Sequence, residues 1–223
     1  MLKTIIDKDL GRDTGKVLLS FDDGPNPQGG VTKGLLDVLR KQGIRAAFCL
    51  IGKHAAGSPE LVKRYRREGH LLVNHGMGHK FGPVLSNRRL NDEIRQCDAA
   101  IAEALEEEGF RARYFRPPYG VYRAGQARAI LDSRSFACIT FFISDVRTTP
   151  LTYKDRIQKI AERLVHCGGG AIVLHERLFL HWPADYFKPA ASFNRSWIPE
   201  GVDWLLRYLR QKGFGFTDYE RGF

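Results

Sequence analysis

Short apolar runs of strand length alternate along the chain with longer segments in which apolar residues recur every three or four positions. These are the two periods of buried strands and amphipathic helices. The strand-like runs are Lys16 to Phe21, Ala46 to Ile51, His70 to Asn74, Arg111 to Phe115, Phe136 to Ser144, Ala171 to Leu174 and Gly213 to Thr217. Between them the helical period holds over Val31 to Gln42, Ser58 to Glu68, Asn87 to Glu107, Val121 to Asp132, Tyr153 to Cys167 and Pro199 to Lys212. Ser58-Pro59 reads as a capping hydroxyl before a proline at the first helical position, and Gly43, Gly69, Gly109 and Gly213 read as C-terminal caps. Strict alternation requires a largely parallel sheet covered by helices, either open and doubly wound or closed into a barrel. Seven strands favour an α/β fold of the distorted (β/α)7-barrel type, complete or incompletely closed, with mostly parallel strands. No repeat or linker divides the chain, so one domain is expected over residues 1–223, its core at about 16–217.

Composition narrows the class. Of 223 residues, 43 % are hydrophobic and 27 % charged, enough to fill a core and incompatible with a disordered or fibrous chain. Thirty-five basic against 25 acidic residues give a net charge of +10, which favours an anionic partner such as nucleic acid, a membrane surface or a cell-wall polymer. No run approaches the length of a membrane-spanning helix, and Met1 to Asp7 lack the apolar core of a signal peptide. The chain as it stands therefore reads as cytoplasmic, or as exported if a leader has been removed. Cys49, Cys97, Cys138 and Cys167 form no CxxC pair and are expected to be free thiols.

In a parallel barrel the loops after the strands share one mouth, where residues at the C-terminal strand ends converge. Five of the seven predicted strands end in a group able to bind metal or move protons: Asp22-Asp23, His75 with His79 beyond it, Arg116, Asp145 and His175. Two imidazoles four positions apart are a weak metal signal alone, and Gly76 and Gly78 between them argue against a regular helix. A carboxylate from a neighbouring strand end turns them into a two-histidine, one-carboxylate face with open positions. Two adjacent carboxylates suit such a site, one binding metal while the other takes a proton from water.

At these residues the chain resembles the polysaccharide deacetylases of the NodB-homology type, carbohydrate esterase family 4. Ser20-Phe21-Asp22-Asp23-Gly24-Pro25 matches the first motif of that family, His75-Gly76-Met77-Gly78-His79 its H-[ST]-x-x-H, Phe115-Arg116-Pro117-Pro118-Tyr119-Gly120 its R-x-P-Y and Val173-Leu174-His175 its L-x-H. The resemblance implies that Asp23, His75 and His79 hold a divalent metal, zinc above all, with cobalt, manganese or nickel as alternatives. It implies Asp22 as general base, His175 as general acid, Arg116 as the partner of Asp22 and Asp145 as the partner of His175. It further implies a backbone N–H of Tyr119 in the oxyanion hole and Val173-Leu174 against the acetyl group. Three departures stand out: Gly76 replaces a hydroxyl residue, Val173 replaces leucine, and D-x-x-D-W is reduced to Asp145-Val146-Arg147-Thr148-Thr149.

The activity so implied is removal of N-acetyl groups from an N-acetylglucosamine-containing glycan: peptidoglycan, a chitin-like chain or an exopolysaccharide. The alternatives are hydrolysis of O-acetyl esters, as on xylan, or glycan binding without turnover. The substrate partner so implied is an acetylated glycan or oligosaccharide. Arg64, Arg66, Arg67, Arg88 and Arg89 fall in helical segments and read as solvated faces, so no nucleic acid is expected. The stretch Arg177 to Trp197 is long for a loop and rich in aromatic residues, which either cover the side of the barrel as a small satellite core or, the reading preferred because the loop starts at the mouth, place Trp182 and Trp197 to stack on sugar rings.

Overall fold

Strand β2 (Lys16–Gly24) is buried along its length apart from Lys16, because both its faces are covered. In the computed structural model, which describes residues 1–131, 134–179 and 190–223, β2 pairs in parallel with β3 (Ala47–Leu50), β8 (Gly170–His175) and β9 (Gly215–Thr217). β8 runs along one edge from Val17 to Asp22, so β3 and β9 share the other, beside the upper and lower halves of β2. Strands β4 (Leu71–Asn74), β5 (Tyr114–Phe115) and β7 (Ser135–Phe136) continue beyond β3, giving the order β7-β5-β4-β3-β2-β8. Past β7 the chain reaches toward β8, where the Thr140 N–H donates to the Ala171 carbonyl at 2.8 Å and Ile139 bridges Ile6. The sheet is curled into a distorted, incompletely closed barrel, as the alternation predicts.

Successive residues of each strand face opposite sides. One set, including Val17, Leu19, Phe21, Phe48, Leu50, Leu72, Ile172 and Leu174, packs beneath the helices. It meets Leu35, Leu36 and Leu39 of α1 (Val31–Lys41), Ile160 and Leu164 of α6 (Tyr153–His166) and Leu205 and Leu209 of α7 (Ile198–Gln211). A fully buried leucine contributes about 2 kcal/mol. The other set forms a smaller cluster inside the barrel, of Ala47, Cys49, Val73, Tyr114 and Ala137. Continuing that inward alternation by two residues brings His75 and Arg116 to the mouth, level with Asp22 and His175 at the ends of β2 and β8.

The remaining helices are α2 (Gly52–Ala56), α3 (Pro59–Arg67), α4 (Asn87–Leu105) and α5 (Ala124–Leu131). The short α2 goes unpredicted because five residues carry no period. Pro59 opens α3 as expected, but the Ser58 hydroxyl makes no capping bond. Val121–Arg123, predicted as helix, instead forms strand β6, paired antiparallel with β1 (Leu2–Thr4); an available partner edge overrides a helical pattern of three residues. The predicted strand from Phe136 to Ser144 is regular only at its start and irregular beyond Thr140. The four cysteines are free thiols. Among the described residues no helix is long and apolar enough to cross a membrane.

Candidate active site

The adjacent carboxylates reach the same mouth because β2 bulges. Asp22 lies opposite Cys49 and Gly24 opposite Leu50, leaving Asp23 without a partner in the ladder and in the left-handed region at φ 67°. A bulge of this kind re-aims one side chain; without it Asp23 would face the helices. His54 of α2 donates from Nδ1 to the Asp23 carbonyl at 2.8 Å and holds the bulge.

His75 and His79 come from the loop after β4. The carbonyls of Gly76 and Met77 accept from the N–H groups of Gly52 and Lys53 at the start of α2. The Gly76 N–H donates to Asn74 Oδ1 at 2.9 Å and the Gly78 N–H to Glu93 Oε2 at 2.8 Å. Gly76 sits at φ 81°, so glycine lowers the strain of this turn, and Asn74 and Glu93 steady the loop where no hydroxyl is available. His75 Nδ1 donates to the Arg116 carbonyl at 2.7 Å, which turns Nε2 toward Asp23, 3.4 Å from its Oδ1. His79 Nε2 lies 3.2 Å from the same oxygen. Burial pulls His79 down to about 4, outweighing the pull of Asp23, so it is neutral at pH 7.

Asp23, His75 and His79 each offer one ligand atom, all within 4.8 Å of one another, and all three residues are buried. Asp23 Oδ1 and His79 Nδ1 have no hydrogen-bond partner among the described residues. A buried carboxylate oxygen facing two imidazole nitrogens is costly to leave unmatched. Two nitrogens and one oxygen in this arrangement fit a divalent transition metal with positions left open.

Beside this set stands Asp22, whose Oδ1 accepts from Arg116 Nη1 at 2.6 Å. Arg116 is fully buried and also donates to Ala137 O, Ser20 Oγ and Tyr219 Oη. Burial resists the charge on Asp22, but Arg116 foremost and then His75 hold its pKa below the ordinary carboxylate value. At the end of the neighbouring strand β8, opposite Asp22 in the ladder, His175 donates from Nδ1 to Asp145 Oδ1 at 2.6 Å and from its backbone N–H to Asp145 Oδ2 at 3.0 Å. Burial opposes the imidazolium, yet Asp145 outweighs it and lifts His175 to about 9; His175 is protonated at pH 7 with Nε2–H free of Asp145.

Asp22, Asp23, His75, His79 and His175 open onto a cavity of about 470 Å³ that Tyr119, Val173 and Phe179 also line. Tyr119 stands at φ 63° with its ring 4.8 Å from that of His79. Thr4, Ile5 and Ile6 at the end of β1 form part of the wall. Two expected contributors lie elsewhere. Leu174 points into the core beneath the helices, because it alternates with Val173 and His175. Trp197 is 3 % exposed and packs against Tyr153, with ring centroids 5.6 Å apart, so it offers no face to a sugar. Trp182 lies outside the described residues. Sequence reasoning did not single out His54, Glu93, Tyr219 or Arg195; only their places in the fold mark them.

A family model described as polysaccharide deacetylase matches residues 10–135, more than half of the chain. The chain belongs to the polysaccharide deacetylase family. This polysaccharide deacetylase is 30 % identical over 202 residues to the chitooligosaccharide deacetylase of Bradyrhizobium sp. (strain ANU 289), covering 90 % of this chain and 87 % of that one. It is 35 % identical over 120 residues to a peptidoglycan-N-acetylglucosamine deacetylase of Bacillus cereus, covering 54 % of this chain and 42 % of that one. Its fold is like that of the chitin deacetylase of Colletotrichum lindemuthianum, with a TM-score of 0.75 at 23 % identity over 93 % of this chain and 86 % of that one. It is also like that of a family 4 carbohydrate esterase of Streptomyces lividans solved with acetate, with a TM-score of 0.68 at 26 % identity over 92 % and 91 %. The expected family, barrel and enzyme class are borne out, and this polysaccharide deacetylase is a hydrolase.

Proposed function

We propose that the enzyme removes the acetyl group from N-acetylglucosamine units of a glycan or oligosaccharide, with Asp22 as base and His175 as acid across a metal held by Asp23, His75 and His79. The observation that carries this reading is the two pairings beside the ligand set: an ionised Asp22 on Arg116 and a protonated His175 on Asp145. Two titratable groups pushed in opposite directions mark a base and an acid. A divalent cation, zinc first by its ligand set, supplies Lewis acidity toward the acetyl carbonyl and makes water more acidic.

Asp22 accepts a proton from the attacking water as its oxygen bonds to the acetyl carbon. His175 then gives its Nε2 proton to the nitrogen as the C–N bond breaks, leaving acetate and a free amine. Arg116 keeps Asp22 ionised before the reaction, and Asp145 stabilises the imidazolium. The Tyr119 N–H donates to the carbonyl oxygen as charge develops there, and Val173 bounds the space for the acetyl methyl.

Mass spectrometry of chito-oligosaccharides and muropeptides incubated with the zinc-loaded enzyme tests this. Loss of one acetyl group per step, abolished in Asp22→Asn and His175→Ala, is the expected result. Release of acetate from acetylated xylan with none from either amino-sugar substrate would replace the amide reading by the ester one.

A further inference from the structure

Among the described residues two arginines are the largest fully buried side chains, Arg116 and Arg195. Arg116 belongs to a recognised motif. Arg195 belongs to none, and stands just before α7, 20 residues after His175. Its guanidinium spends all three nitrogens on the acid side of the site. Nε donates to the His175 carbonyl at 3.0 Å, Nη1 to the Asp145 carbonyl at 3.0 Å, and Nη2 to Asp145 Oδ2. The guanidinium carbon lies 4.6 Å from the centre of the Trp197 ring, which stacks in turn on Tyr153. A planar fork held on an aromatic ring spreads its donors over three acceptors of two separate residues; an ammonium concentrates its donors at one point.

We propose that Arg195 is the positioning residue of the acid pair, clamping the Asp145 carboxylate and the His175 backbone into one unit so that the ring keeps its Nε2 proton aimed into the cavity. Asp145 Oδ2 is taken by Arg195 and the His175 N–H, which leaves Oδ1 for the ring and stops the carboxylate from turning. The second acid and the tryptophan of the usual fourth motif are absent here, and the positions nearest them are filled by Thr148 and Thr149. Arg195 and Trp197 brace Asp145 from the far end of the chain instead. The inference rests on the reading of His175 as the proton donor.

Arg195→Lys and Arg195→Gln, with His175→Ala beside them, decide the matter on two substrates: an N-acetylated chito-oligosaccharide and an activated aryl acetate, whose leaving group needs no proton. Both Arg195 variants are expected to lower kcat on the amide by about 10- to 100-fold, with KM within about twofold and the aryl acetate little affected. In an Asp145→Asn background Arg195→Lys should cost nothing further on the amide, because residues acting as one unit are not additive. Equal losses on both substrates, a rise in KM alone, or failure of both variants to fold would make Arg195 a structural tether and overturn the inference. Equal losses in His175→Ala would instead remove the reading beneath it, and would be seen separately from the Arg195 results.

Discussion

Asp22 and Asp23 are neighbours of one type with different surroundings, and that difference sets what each substitution should do. Asp23 faces His75 and His79, whereas Asp22 faces Arg116. Asp22→Asn should therefore keep stoichiometric zinc while kcat falls by about 100-fold or more. His75→Ala and His79→Ala should lose zinc and activity together, as metal analysis of the purified variants will report; zinc released by Asp22→Asn would mean that the two aspartates are exchanged. The pH profile follows from the same surroundings. Asp22 must be ionised and is held below the ordinary range, while His175 must be protonated and loses its proton near 9, so kcat/KM should be level around neutrality and fall on the alkaline side. Asp145→Asn removes the group that raises His175, and the alkaline limb should move down toward the value of free imidazole, about 6.5. An unmoved limb would detach it from His175. These residues were legible in the sequence because each follows a strand and carries chemistry. Arg195, Tyr219 and His54 were not, because an arginine, tyrosine or histidine outside a motif looks like surface until the fold brings it inward. Trp197 misled for the converse reason: a tryptophan in an aromatic loop looks like a sugar platform, and only its burial assigns it to the core.

At the scale of elements, the alternation of strand and helix was readable because the central strands β2, β3, β4, β5 and β8 are buried almost throughout and each long helix is buried on one face. The β1–β6 pair escaped notice because three-residue strands have too few positions to show a period. The bulge in β2 escaped it because Asp-Asp-Gly-Pro reads equally well as a turn. Contacts between elements also carry a testable charge. Glu176, just past β8, is fully buried and accepts from Thr32 of α1 at 2.6 Å and from Tyr65 of α3 at 2.8 Å. Burial lifts its pKa to about 7. An unfolded glutamate ionises near 4.3, so the stability that Glu176 contributes is complete below that pH and is lost as the pH rises through about 7. Glu176→Gln abolishes the ionisation. The variant should be more stable than the parent at pH 8, on the order of 2 kcal/mol, and the advantage should vanish at pH 4; thermal melts at the two pH values check this, and an advantage independent of pH would refute it.

The whole molecule carries a net charge of +10. Some of its arginines are already matched, Arg64 to Asp37 and Glu68 and Arg66 to Glu107; the excess charge acts at longer range. Screening shortens that range to about 8 Å at physiological ionic strength. On an anionic glycan, kcat/KM should fall severalfold between low and high salt, while on a neutral chito-oligosaccharide it should stay level; equal responses would show that the charge plays no part in substrate capture. The incompletely closed barrel has a consequence of its own. Between the stretch after β7 and β8, closure rests on Thr140 against Ala171, reinforced by Ile5, Ile6 and Asp7 laid along Ile139, and Thr4, Ile5 and Ile6 also wall the cavity. The amide protons of Ile139 and Thr140 should therefore exchange with solvent sooner than those of Leu18 or Phe21 at the centre of β2. A bound oligosaccharide pressing on that wall should slow their exchange, so that the barrel seam becomes an isotope-readable gauge of occupancy.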